Sequence, residues 1–485
     1  MEGSFSRGRG TVQSGVVTGI ATVAVSGSAA VAGIILSRKF GHGVKTDGFF
    51  AAYAVYLALV LVATALRVVV LPGFARARRD GRLGGEVGTW LAALAVPLVP
   101  AILVAVLWAN GVAGALASAP ESRDSAAQLL PWLVPAAAAQ IVAGVLASAL
   151  AALDDYLVAA IGFAVGAISG VVVILAFVDH GVVAFGWGLA VNGAIAALVP
   201  LAAVVRRHAL GRPDGSPFTR LRELVEGVAL PFALQGLYVI AYRFASGTGT
   251  GKATTFSYAY LIAATLVAVT ATSIALVATV PFAREGSTPE RVARHVAAIS
   301  WVSLALVAAA GGVFALAGGT VAQRVLGSSY GGGTGAELGR LVVYLAPWMV
   351  ASVAVTVAYP LLFVRGRARW LPLVALAVLL MHVLVEWIGR RAFGLAGVAV
   401  GMAVTTTLVL VVVLGSLGAI AGTARRLVPA ALTCGGVALL AFAAPAAVLD
   451  AAPAALVGLV GYTLVLSAWR PAGLRHAWAY LRALE

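Results

Sequence analysis

The sequence predicts an all-α polytopic membrane protein of about 14 transmembrane helices, built as two pseudo-symmetric six-helix bundles followed by two further helices. Hydrophobic residues make up 61% of the chain and charged residues 11%, a composition outside that of soluble domains. Apolar runs of at least about 18 residues recur along the chain, each long enough to cross the hydrocarbon core. A motif from the first half returns 207 residues later, which indicates an internal duplication.

The hydropathy pattern places the spans, and the distribution of basic residues orients them. The spans are expected at roughly 14–37, 47–72, 87–109, 129–152, 156–178, 183–205, 225–246, 253–282, 295–318, 341–364, 370–388, 394–419, 427–449 and 451–468. With the amino terminus inside, 22 of the 33 Lys and Arg residues fall on inside segments and nine on outside segments. This asymmetry predicts that both termini are cytoplasmic, and the Arg-rich, Ala-rich composition suggests a bacterial cytoplasmic membrane.

Several residues repeat in order between the two halves of the chain. The matched pairs are Lys45 with Lys252, Phe49 with Phe256, Tyr53 with Tyr260, Pro72 with Pro281, Pro131-Trp132 with Pro347-Trp348, and Phe185-Gly186 with Phe393-Gly394. Six spans per copy is an even number, so both copies share one orientation in the membrane. The expected organisation is a first bundle at 1–206, a cytoplasmic linker at 207–224, a second bundle at 225–420, and two extra helices with a basic tail at 421–485.

Charges inside or beside the spans are the first candidates for a functional site, because an intramembrane charge is costly unless it is paired or hydrated. Arg67, within span two, either faces a cavity and attracts a phosphate or extends to the interface. Arg243, near the end of span seven, has the same two interpretations. Lys45 and Lys252 either flank the exit for an anionic head group or anchor their helices at the interface. Asp47 either favours its helix amino terminus or forms a gate with a neighbouring cation.

Polar residues along the spans give a second group of candidates. Span one carries Ser14, Thr18, Thr22 and Ser26 at i, i+4 spacing, which puts their hydroxyl groups on one helix face. That face either lines a cavity or packs against a neighbouring helix. On span eleven, His382, Glu386 and Arg390 share a face. A buried His382–Glu386 pair could exchange a proton and couple transport to an ion gradient, whereas a location near the outer end favours a solvated pair of Glu386 with Arg390.

Other classes of function find no support in the sequence. The six histidines form no H-x-x-x-H or H-E-x-x-H motif, and no Walker A segment is present. We therefore expect no metal, no cofactor and no enzymatic activity. The net charge of +15 lies in short loops between spans, where the positive-inside rule explains it. Nucleic acid is therefore not an expected partner, and the single cysteine, Cys434, excludes an intrachain disulfide.

A resemblance to a known family rests on a few motifs. The turn Phe40-Gly41-His42-Gly43 with Thr46-Asp47-Gly48-Phe49-Phe50 resembles a segment of the MurJ/MviN lipid II flippases. Pro72 with its following basic stretch, Ser257-Tyr258-Ala259, and Phe393 to Gly397 resemble three further segments of that family. The resemblance implies the fold of the MOP flippase superfamily, with two bundles around a cavity and two extra helices beside it. It also implies export of a polyprenyl-pyrophosphate-linked cell-wall precursor by alternating access, with membrane lipids and other cell-envelope synthesis proteins as partners.

The sequence departs from that family where the family meets its substrate. Positions that carry cavity arginines in the family hold Ser26 and Ala32 here, an acidic neighbour is replaced by Gly33, and Tyr260 stands near a missing arginine of span eight. Two alternatives therefore stay open. The chain exports another polysaccharide repeat unit or an amphipathic molecule, or it is a non-transporting scaffold for envelope synthesis. The candidate substrate-binding residues are Arg67, Asp47, Lys45, Lys252, Arg243, Ser26 and Thr22, and the candidate ion-coupling residues are His382 and Glu386.

Overall fold

In a computed structural model of the chain, every regular element within residues 3–285, 288–364 and 368–482 is a helix. These ranges are the part of the backbone that the structure describes, and side chains are described outside 1–20, 22, 64, 68, 271–287, 363–368, 472 and 481–485. The α-helices are α1 (Gly3–Phe40), α2 (Val44–Arg79), α3 (Leu83–Leu107), α4 (Ala109–Leu116), α5 (Pro120–Ala152), α6 (Leu157–Phe177), α7 (Val183–Arg206), α8 (Pro217–Ser246), α9 (Lys252–Glu285), α10 (Pro289–Leu326), α11 (Gly333–Tyr344), α12 (Ala346–Ala358), α13 (Pro360–Val364), α14 (Leu371–Ser416), α15 (Ile420–Ala446), α16 (Ala451–Trp469) and α17 (Ala472–Arg482).

The helices cover all fourteen predicted spans. Twelve described helices are long and apolar enough to cross a membrane, and a thirteenth span comes from α11 and α12, which bend by 41° where they meet. One of the twelve, α14, has 46 residues. A straight helix of that length would measure about 69 Å, twice the hydrocarbon thickness. The all-α, multi-span fold class is therefore confirmed, and α14 accounts for predicted spans eleven and twelve together.

α14 is a hairpin of two antiparallel arms that reverses at Gly394. That residue has φ 59° and ψ −133° inside the element, a conformation that glycine adopts without steric cost. The two arms contact each other at pairs of residues that lie at similar sequence distances before and after Gly394. A Cβ atom at Gly397 would lie 1.8 Å from the carbonyl oxygen of Gly389, and His382 on one arm bonds Thr405 on the other. The two arms therefore pack backbone against backbone.

The chain divides into two compact units, a first unit of residues 1–251 with 371–375 and a second unit of residues 252–370 with 376–485. The bundle boundaries inferred from the repeat remain a prediction. In the first unit, α5 is the most buried span, with 83% of its apolar window covered. Small residues allow this, because Gly144 of α5 lies against the backbone of Ala63 on α2. The core beside it includes Phe74, Trp90 and Leu150.

The loop after α7, within the predicted linker, is held on the surface of α3. The N–H of Gly211 donates to the carbonyl of Gly84 at 2.9 Å. The hydroxyl of Thr89 accepts the N–H groups of Asp214 and Gly215, each at 3.2 Å. A side chain at Gly88 would place its Cβ 2.2 Å from the carbonyl oxygen of Gly211, so glycine is needed for this approach. The last part of the predicted linker, from Pro217 onward, already belongs to α8.

Charged groups continue this contact into α8. Arg220 of α8 pairs with Glu86 of α3 at 2.9 Å and with Glu223 at 2.8 Å. The indole N–H of Trp90 donates to Glu86 Oε1 at 3.0 Å. Because Glu86 receives both groups, its carboxylate stays satisfied although it is buried. The start of α8 is thus tied to α3 by both the loop and this network.

Replacing Thr89 by valine should loosen the loop at residues 207–216. Valine has the same shape but leaves the amides of Asp214 and Gly215 without the hydroxyl oxygen. Loss of these bonds costs about 1–2 kcal/mol, so hydrogen exchange of the loop amides should become roughly tenfold faster. Thr407→Val is the matched control, since that hydroxyl only donates to Ala403 within its own helix. Unchanged loop exchange in the Thr89 variant would contradict the assigned role.

In the second unit, α15 and α16 pack against α10. Phe442 and Tyr462 form a buried cluster with the α10 face that includes Ala305. The Tyr462 hydroxyl donates to the carbonyl of Ala305 at 3.0 Å. A neighbouring cluster contains Trp301 of α10, Cys434 of α15 and Ala477 of α17. The two predicted extra helices, together with the last helix of the chain, are therefore packed elements of the second unit.

Candidate functional site

Polar side chains from three parts of the first unit surround a cavity of about 260 Å³, here named the Asp47 crevice. The parts are the first turn of α2, the segment from the end of α4 into α5, and the end of α8 with the turn that follows it. The polar residues that line the crevice are Asp47, Ser118, Ser122, Tyr242, Ser246 and Thr250. The crevice therefore combines one carboxylate with several hydroxyl groups.

Asp47 is anchored at the base of the crevice. The residue is 5% exposed, and its Oδ2 atom accepts the backbone N–H of Gly251 at 2.7 Å. The hydroxyl of Tyr242, which is also buried, donates to the backbone carbonyl of Asp47. Asp47 is thus a fixed acceptor that joins α2 to the turn after α8, and this bond goes beyond the predicted helix-terminus role.

Arg243 and two serines form the other side of the crevice. Arg243 Nη1 donates to Ser118 Oγ at 2.7 Å, and the hydroxyls of Ser118 and Ser246 lie 3.0 Å apart. Arg123 donates to the carbonyl of Ser118 at 3.0 Å. The guanidinium of Arg243 is therefore directed at the hydroxyl network beside the Asp47 crevice.

The crevice forms where two repeat-related turns meet. The first turn includes His42 and the second ends at Gly251, which has φ +76°. A Cβ atom at Gly251 would lie 2.2 Å from the imidazole ring of His42, so only glycine allows this contact. The motif used to detect the duplication thus also builds the site, since each copy contributes one side of the Asp47–Gly251 bond.

Four of the other predicted binding residues, Lys45, Lys252, Arg67 and Ser26, are not among those that line this crevice. Lys45 is exposed. Lys252, in the second unit, pairs with both carboxylate oxygens of Glu337 at 2.9 and 2.7 Å. Arg67 is exposed and its guanidinium lies 5.0 Å from the centre of the Phe163 ring, a cation–π distance. Ser26 on α1 is also exposed.

The predicted stripe of hydroxyl side chains on α1 lies mostly outside the described residues. The side chain of Thr22 lies outside the described residues, as do those of Ser14 and Thr18. Ser26, which is exposed, is the member of the stripe that belongs to the described side chains. A cavity-lining role for this face remains a prediction.

The predicted ion-coupling pair lies inside the α14 hairpin. His382 and Glu386 are both 0% exposed, and His382 Nε2 lies 3.3 Å from Glu386 Oε1. The other ring nitrogen, Nδ1, is 2.8 Å from the hydroxyl of Thr405 on the opposite arm. The expectation of a solvated Glu386 was wrong, because the opposite arm covers this face and Glu386 Oε1 lies against Gly401. A buried, titratable pair of this kind can bind or release a proton.

Three serines of the crevice were not predicted. Ser118, Ser122 and Ser246 sit in segments without a periodic polar pattern, and Ser118 and Ser246 are 128 residues apart in the chain. Only tertiary packing brings them together. One sequence feature could have indicated this site. The glycine-rich turn at 247–251, directly before Lys252, is the repeat counterpart of the turn before Lys45.

Comparison with solved structures identifies the architecture. The chain aligns with the lipid II flippase MurJ in an inward-closed conformation at a TM-score of 0.71 and 11% identity, covering 94% of this chain and 98% of that one. It aligns with an inward-facing multidrug resistance MATE family transporter of the MOP superfamily at 0.65 and 14% identity, covering 82% and 94%. A mutant form of the Vibrio cholerae MATE transporter VcmN gives 0.58 and 13%, covering 86% and 98%. The chain has the fold of the MOP superfamily.

The sequence-based recognition of this fold is thereby confirmed. No family model and no curated protein sequence matches the chain, so the likeness is carried by structure at low identity. In this MOP-fold chain the Asp47 crevice belongs to the first unit and the His382–Glu386 pair to the second. The two candidate sites are therefore separate features.

Proposed function

We propose that the chain is a flippase that exports a polyprenyl-pyrophosphate-linked cell-wall precursor, similar to lipid II, across the bacterial cytoplasmic membrane by alternating access. The observation that supports this most is the extent of the structural likeness. The alignment with the lipid II flippase spans 94% of this chain, against 82% for the MATE transporter. Both termini are placed in the cytoplasm on the distribution of Lys and Arg.

The Asp47 crevice suits the sugar part of such a substrate. Glycans present many hydroxyl groups, and the crevice offers a buried carboxylate acceptor and serine hydroxyls that both donate and accept. Arg243 adds a charged donor beside Ser118. Arg67 is the candidate for the pyrophosphate, since a guanidinium binds phosphate oxygens through two parallel hydrogen bonds. Lys45, on the first unit, and Lys252, on the second, each remain a candidate cation for an anionic head group in this proposal, and Lys252 would have to exchange its pairing with Glu337 for one with the substrate.

The driving force is assigned to the buried pair of α14. A proton taken up by Glu386, with His382 as its neighbour, changes the charge of a site that has no solvent contact. Such a charge change alters the relative free energies of the conformations that bury and expose the pair. Proton binding can therefore drive the transport cycle.

A second candidate is an exporter of a different polysaccharide repeat unit or of an amphipathic small molecule. Two observations favour it. Ser26 and Ala32 occupy positions that carry arginines in the flippase family, and multidrug resistance transporters share the fold. A non-transporting scaffold that recruits other envelope-synthesis proteins is the third possibility on the same fold, and it predicts no substrate movement.

Reconstitution separates these possibilities. The full chain in proteoliposomes should move a fluorescent polyprenyl-pyrophosphate glycan to the opposite leaflet under a pH gradient, measured by loss of fluorescence to a membrane-impermeant reductant. Movement of a cationic amphipathic dye without movement of the glycan lipid would support the second candidate. Absence of movement of both, in protein that is folded by size-exclusion chromatography, would support the scaffold.

Replacing Asp47 by asparagine should reduce glycan-lipid transport by roughly tenfold, because a charge-assisted acceptor becomes a neutral one. The substitution keeps the size of the side chain and one oxygen for the Gly251 N–H. The control is Asp450→Asn, which changes the same charge at an exposed position before α16. Equal transport by the Asp47 variant and the control would remove the crevice from the proposed substrate path.

A further inference from the structure

Only two residues separate the last helix, α17, from the preceding membrane span, α16. α16 ends at Trp469, Arg470 adopts a left-handed conformation with φ 43°, and α17 starts at Ala472 after Pro471. Trp469 is 61% exposed and Trp478 is 56% exposed. Tryptophan side chains at this position in a membrane protein lie at the level of the lipid head groups. α17 is therefore a helix of the membrane interface.

One face of α17 is packed firmly on the second unit. Ala477 is 1% exposed and lies in the cluster with Trp301. A Cβ atom at Gly473 would approach the Trp301 indole nitrogen to 2.1 Å. The hydroxyl of Tyr480 lies 2.9 Å from His295 Nδ1. These contacts fix which face of α17 is turned outward.

The outward face is basic, and it joins other basic residues. Arg475 and His476 are exposed on α17, and Arg294 is exposed at the start of α10. Arg294 directly precedes His295 on α10 and Arg291 lies one turn before it, so both arginines stand at the end of α10 that contacts α17 through the His295–Tyr480 pair. The basic α17 surface is defined as Arg291, Arg294, Arg475, His476 and Trp478.

Negative charge is scarce among the described residues around α17. Among the described residues of 288–294, 420–426 and 470–480 there are six arginines and one carboxylate, Glu290. Glu290 is already paired with Arg426. The surface therefore carries a positive charge that a partner can neutralise.

We propose that the basic α17 surface binds the head groups of anionic phospholipids, with arginine side chains on the phosphate and Trp478 at the glycerol level. The interface location of α17 favours lipid over a cytoplasmic protein, because arginine and tryptophan together match a phosphate above an acyl chain. Anionic lipids attract basic residues beside a span by about 1 kcal/mol for each residue. With the proposed orientation, the bound lipids belong to the cytoplasmic leaflet. The inference does not depend on which substrate the chain transports.

The test measures lipid selectivity of the full chain by native mass spectrometry. Purified protein is titrated with phosphatidylglycerol or with phosphatidylcholine of the same acyl chains. Wild-type protein should retain phosphatidylglycerol with clear preference. The double variant Arg294→Gln with Arg475→Gln should retain it roughly 30-fold more weakly, the factor that two residues at about 1 kcal/mol each provide.

The matched control is the double variant Arg324→Gln with Arg340→Gln. Both arginines are exposed, and Arg324 lies at the opposite end of α10 from Arg294. The control should bind phosphatidylglycerol as the wild type does. Equal weakening in both double variants would show a general charge effect and overturn the proposed site. Equal retention of the two lipids by wild-type protein would also overturn the proposed site. This outcome needs no variant, so the test holds even if a variant does not fold.

Discussion

Replacing Gly397 by alanine should destabilise the protein by about 3 kcal/mol or more and lower the yield of folded chain. The added Cβ would lie 1.8 Å from the carbonyl oxygen of Gly389, a distance at which one backbone must move away from the other. If the two arms of α14 separate at Gly389 and Gly397, the contacts between the arms farther from the turn are disturbed as well. These include the hydrogen bond between His382 and Thr405. The denaturation midpoint in detergent, followed by tryptophan fluorescence, measures the loss.

The control for this substitution is Gly461→Ala on α16. A Cβ atom there would meet no atom within 4 Å, and alanine favours a helix over glycine by about 0.5–1 kcal/mol. The control should therefore be neutral or slightly more stable than the wild type. Gly389→Ala provides a second approach to the same contact, since its Cβ would lie 2.6 Å from the carbonyl oxygen of Gly397. A stable, fully folded Gly397 variant would show that the arms are not in backbone contact.

Replacing Glu386 by glutamine should abolish transport that is driven by a pH gradient, a loss of roughly 100-fold. Glutamine keeps the shape of the side chain but cannot gain or lose a proton. A ligand moves a conformational equilibrium only through its different affinities for the two states, so a pair that no longer exchanges the proton no longer couples the gradient to movement. His382 and Thr405 stay in contact in this variant, while Arg390, one turn along α14, keeps its charge.

Two measurements make this prediction specific. Glu121→Gln removes a carboxylate from an exposed position in the first turn of α5 and should leave gradient-driven transport unchanged. Equilibration of substrate without a gradient should persist in the Glu386 variant, because that process needs the substrate path and not the proton. Gradient-driven transport at the wild-type rate in the Glu386 variant would rule out the pair as the coupling site.

The transmembrane spans could be predicted because the hydrocarbon core requires each spanning segment to be predominantly apolar. All fourteen predicted spans are covered by helices, since an apolar run of sufficient length has few alternatives to a membrane helix. The repeat-based motif was also informative, because it made the turn before Lys45 and the turn before Lys252 equivalent, and Asp47 directly follows the first of them. Their contact through Gly251 was not predicted, since a repeat gives equivalence and not proximity.

The burial of Glu386 was missed for a different reason. Its place near the end of a predicted span suggested access to solvent, and the spacing to Arg390 suggested an exposed ion pair. Burial of a side chain depends on what packs against it, and here the second arm of α14 covers it through Gly401. The serines of the Asp47 crevice escaped prediction similarly, because their convergence depends on the contact of the end of α8 with the end of α4 and the segment that follows it, rather than on any local pattern.

The single cysteine has a practical consequence for studying motion in this chain. Cys434 is fully buried in the cluster with Trp301 and Ala477, so a maleimide reagent reaches it slowly in the folded state. A cysteine introduced at an exposed position would react first and carry a spectroscopic label alone. Pairs of such labels can report distances through a transport cycle with the native thiol left in place.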